Sequence, residues 1–302
     1  MRPLVSIITV NYNQTAATCA LLDSIRRQHY RAVEVIVVDN ASKEDPAAHF
    51  ATHYPEALYL RSASNLGFAG GNNLALPHAK GDFLFFVNND AELTPEALDT
   101  LLVWMQQHPD TGILSPLICY YPEKGQTKDI IQYAGMTEIH PLTGRNRTLG
   151  AGETDNGQYR EARPTAYAHG AAMLVRRAAL EQAGPMQEDY FLYYEELDWC
   201  ARMRRAGWQI AIEPRAKIYH KESLTTGRMG PLKTYYMNRN RVQFMRRHVR
   251  GWKLALFYGY VLCFMAPKNI LQLALSGQTA NLRAFCKGLW WHISPQKQAA
   301  FI

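Results

Sequence analysis

Residues 81–90 read Gly-Asp-Phe-Leu-Phe-Phe-Val-Asn-Asn-Asp. Five apolar residues, Phe83 to Val87, make a strand pattern that stops abruptly at Asn88, Asn89 and Asp90. In an open parallel sheet, ligands sit just beyond the carboxyl ends of the strands. A carboxylate flanked by amides at such a tip suits a hard cation held against a diphosphate. A second cluster, Tyr193-Tyr194-Glu195-Glu196-Leu197-Asp198, puts three acids within four residues at a helix start. The helix dipole favours acids there, and that alone accounts for one or two of them. Two adjacent carboxylates behind an aromatic run also suit a general base, because burial raises a carboxylate pKa towards working pH. Asp198, one turn further in, is placed to orient the helix.

His220 ends a short strand pattern. A lone histidine is most often structural, but paired with Asp90 it would complete a divalent-metal site. His169 precedes Gly170-Ala171-Ala172, where small residues leave room for a ligand, and takes a supporting role. Asp39 follows the apolar run Val33 to Val38 directly. A carboxylate at that tip can accept from the imide of a uracil or thymine or from a ribose hydroxyl, and serves equally well as a turn former. Thr9, Asn11 and Asn13 end the first strand beside it, in position to hold a base edge. Asn65-Leu66-Gly67-Phe68-Ala69-Gly70-Gly71-Asn72-Asn73 is not the dinucleotide fingerprint. Its glycines let backbone approach a ligand, and a following helix offers N–H groups to an anion.

These residues need a frame that brings strand ends together. Val5 to Val10, Val33 to Val38, Leu58 to Arg61 and Phe83 to Val87 read as strands, with helical spacing in Ala16 to Gln28 and a helix start at Thr94-Pro95. Such alternation predicts an α/β fold, a doubly wound and mostly parallel sheet. Residues 122–164 are polar and glycine-rich, read as an irregular excursion or small β-ribbon, and carry no readable chemistry. Order resumes at Tyr167 to Val175, a helix over Glu195 to Ala206, and short strands at Trp208 to Ile212 and Lys217 to Tyr219.

The chain has 302 residues, 47% hydrophobic and 20% charged, which excludes a disordered protein. Its five cysteines show no CxxC pair or metal-ligand spacing, as in a reduced compartment. The net charge of +7 hides an asymmetry: 21 Lys and Arg oppose 26 acids up to residue 225, and 12 Lys and Arg oppose no acid from 226 onward. That tail is aromatic as well as basic, and an anionic membrane or nucleic acid would attract it. Leu232, Tyr235, Tyr236, Val242, Met245 and Val249 make one helical stripe, suited to a membrane or to packing on the globular part. Leu4 to Val10 is too short for a secretory signal. The longest apolar run, Leu254 to Pro267, falls short of the roughly 20 residues of a spanning helix and reads as interfacial or buried, or, with Ile270 to Leu275, as an oblique or re-entrant insertion.

Together these segments resemble the family 2 glycosyltransferases with the GT-A fold, in their bacterial rhamnosyltransferase-like branch. The resemblance rests on Val5 to Asn13, Val37 to Ser42, Asn65 to Asn73, Asn88-Asn89-Asp90, Gly170 to Arg177, Phe191 to Asp198 and His220, in the family's order. It implies a catalytic domain over 1–228 and a C-terminal, helical, membrane-associating region over 229–302. Asp39 and Asn11 would meet the nucleoside of a sugar-diphosphate donor, with Thr9, Asn13, Asn65, Gly67, Phe68, Gly71, Asn72, Asn88 and Asn89 around it. Asp90 would bind Mg²⁺ or Mn²⁺. Because Asn88 stands first in that motif, the site would lean on His220. Glu196 matches the catalytic base and Glu195 would sit by the acceptor, although the longer second acid leaves the choice between them open. Tyr194, Trp199, His169 and Gly170 would face the acceptor.

The implied activity is inverting transfer of a sugar, from dTDP-rhamnose or a UDP-sugar, to a polyprenyl-diphosphate-linked saccharide. The enzyme would be peripheral at the cytoplasmic face of the bacterial inner membrane, in cell-surface polysaccharide synthesis. Two other classes fit worse. A sugar-nucleotide nucleotidyltransferase wants a basic phosphate loop near strand one, and Asn11 to Thr15 holds no Lys or Arg. A nucleic-acid binder would leave the acids at 195, 196 and 198 without purpose.

Overall fold

The computed structural model describes residues 2–122, 125, 127–221 and 230–294. β1 (Val5–Asn11), α1 (Thr15–Arg26), β2 (Val33–Asp39), α2 (Ala47–His53), β3 (Ala57–Arg61), α3 (Gly67–Ala75) and β4 (Phe83–Val87) alternate along the first part. β5 (Ala91–Leu93), α4 (Ala97–Gln107), β6 (Thr111–Tyr120), β7 (Ile131–Tyr133), β8 (Arg163–Pro164) and β9 (Ala172–Arg176) follow. α5 (Arg177–Ala183), α6 (Glu195–Arg205) and β10 (Gln209–His220) complete the α/β part. Then come α7 (Pro231–His248), α8 (Trp252–Tyr260), a π-helical turn at Val261–Met265, α9 (Ala266–Leu275) and α10 (Thr279–Trp290).

The sheet runs β3-β2-β1-β4-β9-β6-β10-β5. β3, β2, β1 and β4 are parallel, so Asn11, Asp39 and Val87 end at one edge. Beyond β4 the sheet is mixed: β9 runs antiparallel to β4 and β6, β10 parallel to β6, and β5 antiparallel to β10. Each reversal delivers a residue to that edge. Val87 pairs with Ala172, which brings Gly170 and Ala171 beside the tip of β4. His220 pairs with Ala91, next to Asp90.

Alternate side chains take opposite faces, as a strand's period of two requires. Ile7, Val37 and Phe85 join Leu21 and Leu101 on one face, while Ile8, Val38 and Phe86 join Met203 and Phe244 on the other.

Three elements differ from the sequence expectation. β6 was not foreseen, because Gly112, Ser115 and Pro116 break its apolar run; it is nonetheless a buried ten-residue strand. The two short strands at 208–212 and 217–219 are one strand, β10, with a register shift between Glu213 and Lys217. The glycine-rich run does not lead into a helix but forms α3 itself, starting at Gly67.

The C-terminal helices divide. The boundary expected at 228 lies outside the described residues, but α7 beyond it is built into the core. Val242, Phe244 and Met245 share a cluster with β1, β4 and α6 side chains. Each large apolar side chain so buried contributes about 1.5–3 kcal/mol. In α8 and α9, Phe257, Val261 and Met265, four residues apart, pack into the same cluster. Trp252, Leu262, Phe264 and Leu275 are more than two-thirds exposed. Of thirteen large hydrophobic side chains exposed among the described residues, nine lie at or beyond Trp252, so apolar surface concentrates there. Continuous helix over Trp252–Leu275, 24 residues, is long and apolar enough to cross a membrane, well beyond the shorter run read from the sequence.

Candidate active site

The strand ends meet the loops before α3 and α6 around a cavity of about 530 Å³. Asn65, Gly67, Phe68 and Asn72 line one part; Asn88, Asn89, Asp90, His169, Gly170, Tyr194, Glu195, Glu196 and His220 line the rest. Asp90, Glu196 and His220, which come from three distant stretches of chain, therefore share one space.

At one end of the cavity, Asp90 Oδ1 lies 3.0 Å from His220 Nε2. The opposite ring nitrogen, Nδ1, is 2.8 Å from Gln132 Oε1. In the tautomer with its proton on Nδ1, the ring donates to Gln132 and Nε2 is free to act as a ligand. Asn88 Nδ2 lies 3.3 Å from Nε2. A carboxylate and an imidazole lone pair held together in a buried corner are a donor set for a divalent cation, and a second partner fixing the ring is the usual support for such a ligand. His169 stacks edge-on to His220 at 6.1 Å between centroids. Burial, then the neighbouring His220, lowers its pKa to about 3, so it stays neutral.

The acids occupy the first turn of α6. Glu195 is 3% exposed and Glu196 opens partly onto the cavity, yet each has an Oε2 with neither solvent nor partner. Burial raises Glu196 to about 7, against backbone N–H bonds that pull it down. Glu195 is raised well above the carboxylate range, first by burial and then by the charge of Glu196. Asp198 behaves otherwise, since its bonds to His248 and Arg202 outweigh burial and lower its pKa.

The loop before α6 is bent sharply. Phe191, Tyr193 and Tyr194 all have positive φ, at 63°, 68° and 77°. Such conformations cost about 1–3 kcal/mol each in non-glycine residues and persist only where the surroundings impose them. The Phe191 carbonyl accepts from Phe68 N at 2.7 Å, joining this loop to the start of α3. Gly67, at φ +72°, touches the same carbonyl, and any β-carbon there would overlap it.

Several expected residues lie elsewhere. Trp199 does not face an acceptor. It is fully buried, edge-on to Phe86, and bonded to the Gly184 carbonyl, because α6 turns it from the cavity into the sheet. Gly71 is pressed against Val10 and serves helix–strand packing. Thr9, Asn11, Asn13 and Asp39 are not among the residues that line the cavity. Asp39 is fully buried, its oxygens accepting from Asn11 Nδ2, Ser42 Oγ and Ser42 N at 2.6–3.0 Å. Asn13, at φ 56°, bonds Ser42 Oγ and Lys43 N.

The profile of the family described as Glycosyl transferase family 2 matches residues 6–184 of this chain. The chain belongs to that family. The transferase is 27% identical over 244 residues to N-acetylglucosaminyl-diphospho-decaprenol L-rhamnosyltransferase of Mycobacterium tuberculosis (strain CDC 1551 / Oshkosh), covering 76% of this chain and 79% of that one. Among solved structures it resembles GalNAc-T7 with UDP, GalNAc and Mn²⁺, with a TM-score of 0.64 at 13% identity, covering 81% of this chain and about half (48%) of the other. It also resembles the mannosyltransferase PcManGT of Pyrobaculum calidifontis with GDP-Man and Mn²⁺, with a TM-score of 0.58 at 18% identity, covering 96% and 88%. These likenesses show the GT-A fold.

Sequence reasoning missed some of the transferase's cavity residues. Asn40 bonds Asn65 Oδ1, the Gly67 carbonyl and Leu66 N, and so ties β2 to α3; its place directly after Asp39 was the only signal. Gln132 belongs to the polar excursion and gave none. β7 pairs with β6 and carries it to His220. Among the described residues, Lys233 is the one Lys or Arg in the cavity lining.

Proposed function

We propose that the transferase moves a sugar from a nucleoside diphosphate to a hydroxyl of a lipid-linked saccharide, with inversion. The observation that carries this is the shared cavity: a carboxylate of pKa about 7 at Glu196 opens onto the space that holds the Asp90–His220 pair. Glu196 takes the proton of the acceptor hydroxyl. That oxygen bonds to the anomeric carbon as the bond from carbon to the diphosphate oxygen breaks on the opposite face, and one displacement inverts the centre. Asp90 and His220 would hold Mg²⁺ or Mn²⁺, with Gln132 fixing the imidazole. When bound, the cation neutralises charge growing on the departing diphosphate. Asn65, Gly67, Phe68, Asn72, Asn88 and Asn89 surround the donor. Glu195, raised well above the carboxylate range by burial, sits by the acceptor with Tyr194, His169 and Gly170.

The donor is dTDP-rhamnose and the acceptor a saccharide on a polyprenyl diphosphate, a reading supported by the mycobacterial relative's name. Purified protein with Mn²⁺ and an N-acetylglucosaminyl-diphospho-polyprenol should transfer rhamnose from dTDP-rhamnose. Transfer from UDP-GlcNAc or GDP-mannose alone would reject the donor, and transfer from none would reject the class.

The enzyme works at the cytoplasmic face of the bacterial inner membrane, and nucleic acid is not its partner. The exposed side chains of α8 and α9 enter the lipid, while Phe257, Val261 and Met265 keep the helix against the domain, an in-plane attachment. The basic tail favours anionic headgroups. Replacing the exposed Leu262, Phe264 and Leu275 by serine should release the protein from phosphatidylglycerol vesicles in a sedimentation assay, and unchanged sedimentation of the folded variant would contradict the attachment. A cut before α7 is the wrong test, because it strips core side chains and unfolds the domain.

A further inference from the structure

α7 grips the stretch of main chain that delivers the acid pair. Asn240 is fully buried, and its Nδ2 lies 3.0, 2.8 and 2.7 Å from the carbonyl oxygens of Tyr190, Leu192 and Tyr193. Its Oδ1 accepts from Arg239 Nε at 2.7 Å. Arg239, 3% exposed, donates in turn to the carbonyls of Asp189 and Tyr190 at 2.7 and 2.6 Å. The rings of Tyr235, Tyr236 and Trp291 wall its guanidinium in. Carbonyls so close in sequence converge on one nitrogen only where the chain leaves regular structure, and here that is the run of positive φ at Phe191, Tyr193 and Tyr194. A second tie lies further along, where His248 Nε2 meets Asp198 Oδ1 at 2.7 Å and so links the end of α7 to α6.

We infer that Arg239 and Asn240 are positioning residues for catalysis, holding loop 189–194 in its bent form and thereby aiming Glu195 and Glu196 into the cavity. Neither touches substrate; they act through the loop. Without their donors the carbonyls of Asp189, Tyr190, Leu192 and Tyr193 lose these hydrogen bonds, and the loop relaxes towards ordinary φ. The first turn of α6 moves with it. The tail after β10 is therefore part of the chemistry as well as of attachment.

The test uses the full chain carrying Asn240→Ala, Asn240→Asp or Arg239→Met. A shift of about 1 Å in a reacting group costs about 100-fold in rate. For Asn240→Ala, kcat should fall by about that factor, while calorimetry with Mn²⁺ keeps nucleoside diphosphate affinity within about threefold. Hydrogen exchange should rise across 190–197 and stay slow in β1 and β4. Asn240→Asp keeps the shape but turns a carboxylate towards carbonyls, so it should be at least as harmful as Ala; a packing role alone would make it the milder change. Arg239→Met keeps the apolar stem and should also loosen 190–197. Unchanged kcat with unchanged exchange overturns the inference. So does protection lost throughout the sheet in these variants, which would make the pair general stabilisers. The kinetic arm rests on the transferase reading and the exchange arm does not. A wild type without transfer activity would sink that reading and leave the loop test standing.

Discussion

Glu196→Gln should lower turnover by about 1,000-fold while donor binding stays within a factor of about three. The substitution keeps size and shape and removes only the ability to take a proton. Because burial raises Glu196 to about 7, the wild-type rate should depend on pH near neutrality. The working form is the carboxylate, present above that value, so kcat/KM should fall about tenfold per unit as pH drops below about 7 and level off above it. The same limb should vanish in Glu196→Gln. Glu195→Gln decides between the adjacent acids. Burial and the charge of Glu196 raise Glu195 well above the carboxylate range, and an amide keeps its size and can still donate, so this variant should keep the limb and lose far less rate. A Glu195 variant without the limb, beside a Glu196 variant that retains it, would exchange their roles.

Asp90→Ala should abolish the dependence of nucleotide binding on Mn²⁺. Asn88 offers no carboxylate, so Asp90 is the motif's one charged ligand, and its loss should weaken Mn²⁺ binding by more than about 100-fold in calorimetry. His220→Ala should match it. Gln132→Ala should be graded below both, at about tenfold, because it frees the ring to turn without removing a ligand. Equal Mn²⁺ affinity in wild type and Asp90→Ala would place the cation elsewhere. Cys119, Asp129 and Asp155 are the competing cluster, but Lys217 Nζ already sits 2.8 and 2.7 Å from the two carboxylates.

Much of the frame was legible because β1, β2 and β4 are short apolar runs that end in polar tips, and parallel strands bring such tips to one edge. That reasoning singled out Asp90, while Glu196 was read from an acid cluster at a helix start and His220 from the end of a later strand; the fold brings the three to one cavity. Such reasoning stumbled where position in the chain does not give direction in space. Trp199 lies one turn from the acids, yet α6 aims it at Phe86. Asp39 ends its strand as Asp90 follows its own, but Ser42 and Asn11 enclose it. Gln132 carries no periodic signal, since a three-residue strand in a polar stretch looks like loop. The basic aromatic stripe of α7 satisfies a membrane and a core alike. Only the carbonyls before Glu195 decide for the core, and their arrangement depends on backbone angles that no composition displays.

Reshaping the cleft for a new sugar would leave its central joint untouched. The halves meet through an amide N–H at Phe68 and a carbonyl at Phe191, groups that nearly every amino acid carries. A mutant library can therefore vary the ring at 68 without removing that bond, while codon 67 admits glycine alone.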